Sequence, residues 1–493
     1  MKVSAFQAEN ILVTGSESRG ADQEVVRTLL ALAALLGESP AVQVFGEIRH
    51  PEKTTVIGTL LPKAKAIVAR TEVNRVLVLR ALVPSVGFCM KEMTTFKEGT
   101  SELYLRPVPP ELVGWTFFDV AQLFTRSVVC GVQAGGGAPK LMPKAKTELR
   151  EGDQLLILAR SQSDAGIWLR PGAPDAPPLL GGSEDFGDLD IRSLRRAHST
   201  HATLASAASA ADVLQEDGQV KLGPSAEGPK AVVMIGCPHD FPNFLEIDCY
   251  LADGSTVHLL STRDMQWRDA ALKAYMGDAG VSVEGGFGLE RVKVHHYVGD
   301  STRRGDLARL PLAEASCAII LADRVDGEDP IDADTRSLTT AIALKALLSE
   351  LKTGRCKIVT EILDAETEKV ISINGSVRKT CSFMYTRSVE AGLLAMAVAQ
   401  PTSFAVVKQL LERRSTAGYI VAVPVGRHVT GSEKLSFLDL RDRLWRSCRG
   451  ILLGWRRQAD RYPNVNPADK TELLDWEASS GDELIVMHRS DGA

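Results

Sequence analysis

The segment best equipped for chemistry is an acidic stretch in the second half of the chain. Its carboxylates are Asp323, Asp326, Glu328, Asp329, Asp332 and Asp334. A loop that supplies several carboxylate and carbonyl oxygens suits a hard cation such as calcium, although this spacing is not that of an EF-hand. The alternative is a solvated loop in which Asp332 or Asp334 favours the positive N-terminus of the following helix. Both interpretations stay open. If the loop binds a metal, calcium is the candidate ion and these six residues are the candidate ligands.

The chain offers little to a nucleotide. A dinucleotide site needs Gly-x-Gly-x-x-Gly directly after the first strand, so that the pyrophosphate can approach a helix N-terminus. The apolar run 231–235 is followed by Gly236 alone, and Pro238 stands in the same loop. The glycines at 285, 286 and 288 precede a strand pattern, so we interpret them as a turn. No nucleophile elbow accompanies a serine or cysteine. The sequence predicts no certain cofactor and no enzyme.

Other isolated polar residues have ordinary structural interpretations. Glu47 and Glu361 each close a central strand, where ligands can bind, but pairing with a nearby arginine is favoured. His295 and His296 lie in an alternating strand, so a satisfied histidine is favoured over a metal ligand. A basic stretch is interpreted as a solvated face paired to acids rather than a membrane or anion contact. It comprises Arg441, Arg443, Arg446, Arg449, Arg456, Arg457 and Arg461.

Composition narrows the function class. The 493 residues are 44% hydrophobic and 24% charged with a net charge of -5, as in ordinary globular proteins. No long basic run is present, so nucleic acid is not an expected partner. No apolar run approaches the ~18 residues that cross a bilayer, so we expect a soluble polypeptide.

A long internal repeat organises the chain. Residues 117–126 match 437–446, and Pro-x-x-Lys-Thr-Glu-Leu occurs at both Pro143 and Pro467. Upstream, the segment after Gly20 parallels that after Asp332. An ordered series of matches indicates two copies of one structural unit.

The elements of the second copy predict an α/β fold. Short apolar strands alternate with helical patterns, which is typical of a parallel Rossmann-like sheet, and a small α+β segment follows. The first copy starts at the counterpart of the fourth strand, so the first unit is incomplete. Either the chain is a truncated product or another segment completes the sheet. The predicted domains are a partial Rossmann-like lobe at 1–105, a small lobe at 106–160, a flexible linker at 161–229, a complete Rossmann-like lobe at 230–400 and a small lobe at 401–493.

This architecture resembles the tandem RCK units that gate ligand-controlled channels, and its details resemble the CASTOR/POLLUX/SYM8-like ion channel family. The most specific stretches are residues 320–338 and 358–364, together with the ending from Asn466 through Trp476 to the strand after Gly481. In the first copy, 112–132 and 151–157 are similar to the small subdomain of that family. The resemblance covers most of 11–160 and 230–490. One departure is Cys237-Pro-His-Asp, where family members show a Trp-Arg-Arg-type segment.

The resemblance implies a regulatory function. It suggests the gating-ring region of a cation channel, responsive to a ligand or to calcium and acting in ion transport across an organelle envelope. The implied partners are other copies in a tetrameric ring and a pore-forming membrane segment or subunit. The implied location is the soluble side of a nuclear or plastid envelope. The alternatives are a pore-less regulatory or scaffold protein, which would be cytoplasmic, and, less favoured, an NAD-dependent Rossmann enzyme.

Overall fold

The computed structural model of this chain describes most of its length. The described residues are 8–15, 20–36, 42–50, 53–60, 64–166, 228–238, 241–276, 281–283, 286–288, 291–324, 328–352, 356–412 and 418–489. Nearly all of the predicted linker, 161–229, and Asp326 of the acidic stretch lie outside them. Among the described residues, no helix is long and apolar enough to span a bilayer.

The chain forms two compact units, and each takes residues from both repeats. Unit 1 comprises 1–87 with 224–401, and unit 2 comprises 88–223 with 402–493. The first division falls ahead of the 105/106 boundary, because Glu102–Pro107 is a strand of a small antiparallel sheet rather than part of the Rossmann-like lobe. The second division, between Pro401 and Thr402, lies next to the boundary predicted at 400/401.

The main sheet of unit 1 has eight strands, in the order β10-β11-β12-β9-β8-β13-β14-β15. All of them run parallel except the hairpin β10-β11. Gly286 and Gly288 lie in β11, where Gly286 pairs with Val283 and Gly288 pairs with Val281 and Lys293, so the assignment of these two glycines to a turn is wrong. The signal was ambiguous because glycine marks turns and also tolerates close strand approach. The strands are β8 (Ala231–Ile235), β9 (Ser255–Ser261), β10 (Val281–Val283), β11 (Gly286–Gly288), β12 (Val292–Val298), β13 (Ala315–Ile320), β14 (Lys357–Ile362) and β15 (Ser382–Tyr385).

The first repeat contributes a three-stranded parallel sheet to unit 1. It contains β1 (Asn10–Val13), β2 (Gln43–Glu47) and β3 (Ala64–Ile67), in that order. These strands are the counterparts of β13, β14 and β15. The predicted α/β class, with parallel sheets and a small α+β segment after each, is confirmed.

Helices cover these sheets because each carries an apolar stripe. The helix α8, which spans Pro330–Glu350, packs Ala341, Leu344 and Leu347 onto a sheet face that includes Val233 and Ile320. The helix α1 does the same in the first repeat through Val25 and Leu29. The helices of unit 1 and its borders are α1 (Ala21–Leu36), α2 (Thr54–Leu60), α3 (Ala69–Leu82), α4 (Pro84–Met93), α6 (Met265–Met276), α7 (Arg304–Leu307), α8 (Pro330–Glu350), α9 (Ala365–Ile373), α10 (Gly375–Arg378), α11 (Thr386–Ala399) and α12 (Pro401–Leu411), with a 3-10 helix at Phe241–Tyr250; α5 (Phe117–Gln122) and α13 (Phe437–Cys448) lie in unit 2.

The helix α3 joins the two repeats inside unit 1. Most of its residues are buried, and Val73, Val76 and Leu77 are fully enclosed. It belongs to the first repeat, yet it contacts β13, β14, α11 and the 3-10 helix of the second. A helix that is buried all round must be covered on every side. The second repeat supplies part of that cover.

Unit 2 contains the two small lobes, which are built alike. The first lobe has the antiparallel sheet β4-β7-β5-β6, and the second has β16-β21-β18-β19 beside the hairpin β17-β20. The strands are β4 (Glu102–Pro107), β5 (Val128–Gln133), β6 (Pro139–Leu141), β7 (Gln154–Ala159), β16 (Tyr419–Pro424), β17 (Ser432–Leu435), β18 (Ile451–Arg456), β19 (Asn464–Val465), β20 (Leu474–Glu477) and β21 (Glu483–His488).

Matched details confirm the repeat. The helix α5 is capped by Thr116, whose hydroxyl accepts from the Asp119 N–H, and α13 is capped in the same way by Ser436. The strands β5 and β18 each carry a bulge, closed by Gly131 and Gly454. A Cβ on Gly454 would lie 2.2 Å from the Asn464 carbonyl oxygen, so the close approach of these strands requires glycine.

Candidate functional site

The acidic stretch leaves the carboxyl end of β13 and leads into α8. Carboxyl ends of parallel strands are where ligands bind in open α/β sheets. Five of its six carboxylates are described, and Asp326 lies outside the described residues.

Asp323 ties together three loops at this edge. Its carboxylate accepts hydrogen bonds from the Cys237 N–H at 2.9 Å and from Ser261 Oγ at 3.4 Å. It also pairs with Arg263, 3.3 Å away, and Arg263 Nε donates to the Cys237 carbonyl at 2.7 Å. The Cys237 N–H follows the first strand of the sheet, where a dinucleotide fold presents its donors to phosphate. A carboxylate of the protein occupies that donor, and its charge would repel a phosphate.

The N-terminus of α8 uses two further acids. Asp329 is the N-cap, and its side chain accepts from the Ile331 N–H at 3.0 Å. Glu328 forms a bidentate ion pair with Arg336, which also donates to the Asp323 carbonyl at 2.8 Å. Asp332 lies exposed in the first turn of the helix. These contacts order the start of the helix through Asp329 and Glu328, whereas the capping alternative had named Asp332 or Asp334.

Asp334 is buried behind the loop. Its two carboxylate oxygens accept from the N–H groups of Leu363 and Asp364, at 2.8 and 2.9 Å, just beyond the end of β14. Burial raises the pKa of Asp334 to about 6, although these N–H donors favour the charged form. Asp334 therefore holds the end of β14 against α8.

The five described carboxylates of the stretch face separate partners. Within the described part of the chain, no three His, Cys, Asp or Glu side chains are grouped so as to hold a metal ion. The structure thus brings Asp323 and Glu328 together through Arg336 and leaves Asp329, Asp332 and Asp334 at separate places. Calcium binding by the stretch stays a prediction.

The first repeat carries a matched contact with different electrostatics. Asp22 occupies the position of Asp334, and its carboxylate accepts from the Arg49 N–H at 2.9 Å. It also contacts His50 Nδ1 at 2.7 Å and Lys53 Nζ at 2.9 Å. Burial opposes ionisation, but the hydrogen bonds from His50, Arg49 and Lys53 hold the pKa of Asp22 well below its usual range. The two repeats keep the same contact and differ in its charge.

Glu361 lies at the end of β14 and is fully buried. Its carboxylate accepts from Arg70 at 2.8 Å, Thr386 Oγ1 at 3.0 Å and the Ala322 N–H at 3.0 Å. The predicted pairing with an arginine is confirmed. That arginine begins α3, far away in sequence, so only the packing of the two repeats could identify it.

Glu47 ends β2, at the position that matches Glu361. Burial raises its pKa to about 7, and the nearby carboxylate of Glu390 on α11 adds to the shift. Arg49 works in the opposite direction, and Asp22 in the same direction as Glu390. The matched strand ends therefore differ: Glu361 is paired with an arginine, and Glu47 has a pKa near 7.

Two groups beneath this edge were missed by the sequence analysis. Arg268 of α6 is fully buried and donates to the carbonyls of Ser261 at 2.6 Å and Tyr297 at 3.1 Å, at the ends of β9 and β12. His258 stacks on His295 with ring centroids 4.9 Å apart and contacts the Tyr297 hydroxyl at 3.1 Å. Burial lowers the pKa of His258 to about 4, and His295 adds to the shift. Neither had a motif, and only the strand register brings the two histidines together.

The arginine-rich stretch is largely paired in unit 2. Arg443 pairs with Glu433 at 2.8 Å, Arg456 with Glu483 at 3.0 Å and Arg457 with Asp482 at 2.7 Å. The interpretation of the stretch as a face paired to acids is confirmed for these three arginines. Arg457 also lies over the ring of Trp476, at 3.9 Å from its centroid.

Known proteins resemble this chain along its length. A protein-family model described as Castor and Pollux, part of voltage-gated ion channel, matches residues 73–166. The probable ion channel POLLUX of Arabidopsis thaliana is 22% identical over 99% of this chain and 56% of its own length. The ion channel POLLUX of Lotus japonicus is 23% identical over 99% of this chain and 50% of its own length. The chain spans about half the length of the curated relatives it matches.

A solved structure supports the fold. The human SLO3 gating ring superposes with a TM-score of 0.66, covering 99% of this chain and 89% of the other at 12% identity. That likeness concerns the fold alone, whereas the sequence matches identify relatives. The chain is therefore similar along its length to the CASTOR/POLLUX/SYM8-like ion channels, and the resemblance inferred from its sequence is confirmed.

Proposed function

We propose that this chain is the regulatory, gating-ring region of a CASTOR/POLLUX-like cation channel. The observation that carries the proposal is similarity over nearly the whole chain to POLLUX channels, combined with the fold of a gating ring. Such a region works by a shift between conformations that a ligand stabilises unequally, so it needs no catalytic residue. The channel would act in ion transport at an organelle envelope, with this region on its soluble side.

The interleaving of the repeats supports this mechanism. Within unit 1, the helix α3 and the buried ion pair between Arg70 and Glu361 connect the two repeats. A ligand that moves the carboxyl edge of β14 would thereby move the first repeat as well. Coupling of this kind requires a packed element with contacts to both halves.

The test is single-channel recording of the full-length gene product. We expect open probability to depend on calcium, and we expect Glu361→Gln to shift that dependence without changing unitary conductance. Asp475→Asn, at an exposed acid of unit 2, is the matched control. A conductance with no response to calcium, or one absent altogether, would favour a pore-less regulatory or scaffold protein.

Calcium is proposed to act through the acidic stretch at 323–334. Asp323 is partly exposed and Asp332 is exposed, so a cation could recruit them with Asp326. A ligand that binds only the native state stabilises it by about 2.7 kcal/mol at a hundred times its Kd. The melting temperature of the wild type should therefore be higher with calcium than with chelator. This difference should be smaller in the double variant Asp326→Asn with Asp329→Asn. Equal responses would exclude the stretch.

The proposed tetrameric ring has a candidate surface in both repeats. Leu30 of α1 is 44% exposed and Ile342 of α8, on the matching helix, is 53% exposed. Exposed apolar side chains that recur at matched positions suit contacts between copies. We expect Leu30→Glu with Ile342→Glu to lower the oligomeric mass measured by light scattering. Val370→Glu, at another exposed apolar residue, should leave it unchanged. An unchanged mass in the double variant would contradict this surface.

A further inference from the structure

A buried lysine lies where the two lobes of unit 2 meet. Lys470 is 2% exposed, and its ammonium group donates to the Pro467 carbonyl oxygen at 3.2 Å. The same nitrogen lies over the ring of Phe437, 5.6 Å from the centroid. Buried charges in proteins are usually paired with an opposite charge. A lysine that is enclosed in this way and held by a neutral carbonyl is therefore exceptional.

Two guanidinium groups lie close to this amine. Arg160 follows β7 of the first lobe, and its Nε donates to the Asn466 carbonyl at 3.0 Å. Asn466 and Pro467 are consecutive, so neighbouring carbonyl groups hold the guanidinium and the amine. Arg441 of α13 lies near enough for its charge to act on the amine as well. This part of unit 2 thus gathers three basic side chains.

The surroundings favour the uncharged form of the amine. Burial lowers the pKa of Lys470 to about 7, and Arg441 and Arg160 add to the shift. Asp164 acts in the opposite direction, but it also pairs with Arg126, 3.7 Å away. At pH 7 about half of the amine is uncharged, whereas an exposed lysine with its usual pKa of ~10.4 is almost entirely charged. An uncharged lysine amine is a nucleophile.

A buried amide side chain adjoins the carbonyl that holds the amine. Asn466 is fully buried, and neither its Nδ2 nor its Oδ1 has a hydrogen-bond partner among the described residues. A buried polar group without a partner costs free energy. A new acceptor placed next to the amine would therefore be stabilised by this Nδ2 group as well as by the guanidinium groups.

The first repeat has a different arrangement at the matched positions. Met142 corresponds to Asn466, and the two residues share a positive φ, of 45° and 44°. Lys146 corresponds to Lys470 in the repeated motif Pro-x-x-Lys-Thr-Glu-Leu, and Lys146 is exposed. The enclosed lysine beside a buried amide is therefore specific to the second repeat, and the chain carries its own control in Lys146.

We propose that Lys470 is a modification site for carbon dioxide, which it binds covalently as a carbamate. The uncharged Nζ attacks the carbon atom of CO₂, so that an N–C bond forms while one C–O π bond breaks. The proton that leaves the nitrogen passes to water. Because CO₂ is small and uncharged, it can reach an enclosed amine that a larger electrophile cannot.

The neighbouring groups suit the product better than they suit an ammonium group. The carbamate is an anion, and its oxygens can accept charge-assisted hydrogen bonds from Arg160 and Arg441. Its remaining N–H can still donate to the Pro467 carbonyl. Arg160 belongs to the first lobe and Arg441 to the second, so the carbamate would strengthen the contact between the lobes of unit 2. This inference does not depend on the proposed channel function.

Chemical trapping on the full chain tests the proposal. The protein is equilibrated with isotope-labelled CO₂ at neutral pH and alkylated with triethyloxonium, which converts a carbamate into a stable ethyl carbamate. Peptide mass spectrometry then locates the label. We expect it at Lys470, with at least tenfold less at Lys146. At a fixed CO₂ pressure the labelled fraction should rise as the pH passes through about 7, the pKa of Lys470.

Two variants test the surroundings of the amine. Asn466→Gly removes the amide and keeps a residue that adopts a positive φ, so it should lower the labelled fraction severalfold. Lys146→Met is the matched control and should carry as much label at Lys470 as the wild type does. At constant pH and ionic strength, CO₂ should raise the melting temperature of the wild type and leave that of Lys470→Met unchanged.

Three results would overturn the proposal. The first is the absence of label at Lys470 in the wild type under saturating CO₂. The second is equal labelling of Lys146, which would mean that any lysine reacts. The third is an undiminished labelled fraction in a folded Asn466→Gly protein. Because the label is located directly in the wild type, the first two results do not depend on the stability of any variant.

Discussion

Replacing Glu361 tests whether the two repeats are held together by one buried ion pair. Glu361 is fully enclosed and its partner Arg70 is 16% exposed. Removing one partner of a buried pair costs about 3–5 kcal/mol, because the other charge stays buried. The partial exposure of Arg70 moves the expectation toward the lower end. The N–H of Ala322 and the hydroxyl of Thr386 also lose their acceptor, at about 1–3 kcal/mol for each group left unsatisfied. These terms share one carboxylate and do not add, so we expect Glu361→Ala to destabilise unit 1 by about 3–5 kcal/mol.

Urea unfolding monitored by hydrogen exchange is the suitable assay, because it reports on each unit separately. Peptides from β13, β14 and α3 should lose protection together, whereas peptides from the sheets of unit 2 should not. Glu361→Gln retains an acceptor for Ala322 or Thr386 and should cost less than the alanine variant. A loss confined to β14 that spares α3 would refute the idea that this pair joins the repeats.

The matched residue Glu47 gives the opposite expectation and serves as control. Its folded pKa of about 7 lies above the usual value of 4.5 for a glutamate, so the native state binds a proton more tightly than the unfolded state. The resulting stability is present at low pH and is lost as pH rises from 4.5 through 7. Glu47→Gln should therefore match the wild type at pH 5 and exceed it at pH 8. A destabilisation like that of Glu361→Ala would mean that the two strand ends are equivalent.

Three further outcomes follow from the same contacts. Lys470 is almost fully buried; burial lowers its pKa from 10.5 to about 7, and Arg441 and Arg160 add to the shift. The native state thus disfavours the proton, and wild-type stability rises between pH 7 and 10.5. At roughly 1.4 kcal/mol per pKa unit, the free energy of unfolding of Lys470→Met should exceed that of the wild type by several kcal/mol at pH 6 and by less at pH 9. Parallel curves of stability against pH would contradict this. Gly454→Ala should destabilise unit 2, since its Cβ would overlap the Asn464 carbonyl, and an unchanged melting temperature would show that the bulge can relax. NAD should show no tight binding in calorimetry because Asp323 occupies the Cys237 N–H, and micromolar affinity would contradict that reasoning.

Local patterns of the sequence predicted much of this fold. The alternation of apolar strands and helices expected in the second copy is present, with the strands β8, β9, β13 and β14 and with α8 between β13 and β14. Those signals depend on periodicity within one segment, which a sequence displays directly. The short strands β10 and β11 were missed, because three-residue strands with glycine resemble turns. The acidic stretch was found by composition, but composition does not reveal that Arg263 and Arg336 would pair with its members.

The sequence could not show that α3, a helix of the first repeat, packs against the second repeat. A boundary drawn from repeat matches assigns each helix to the copy in which it lies. The burial of α3 on all sides is a tertiary property, and its apolar composition alone is also that of an ordinary core helix. Arg70 and Glu361 are separated by most of the chain, so no spacing rule could join them.

At matched positions, the two repeats differ in which acidic residue has a basic partner. Asp22 and Asp334 make the same contact to the chain after the next strand, but only Asp22 has basic partners in His50 and Lys53. Conversely, Glu361 has the guanidinium of Arg70, while Glu47 faces the carboxylate of Glu390. Each repeat therefore has one acid with basic partners and one acid whose pKa lies near 6 or 7, and the two positions are exchanged between the repeats. A change of pH or of bound cation near neutrality would act on Glu47 in the first repeat and on Asp334 in the second. Because α3 and the Arg70–Glu361 pair join the repeats, a change at either position would be felt in both.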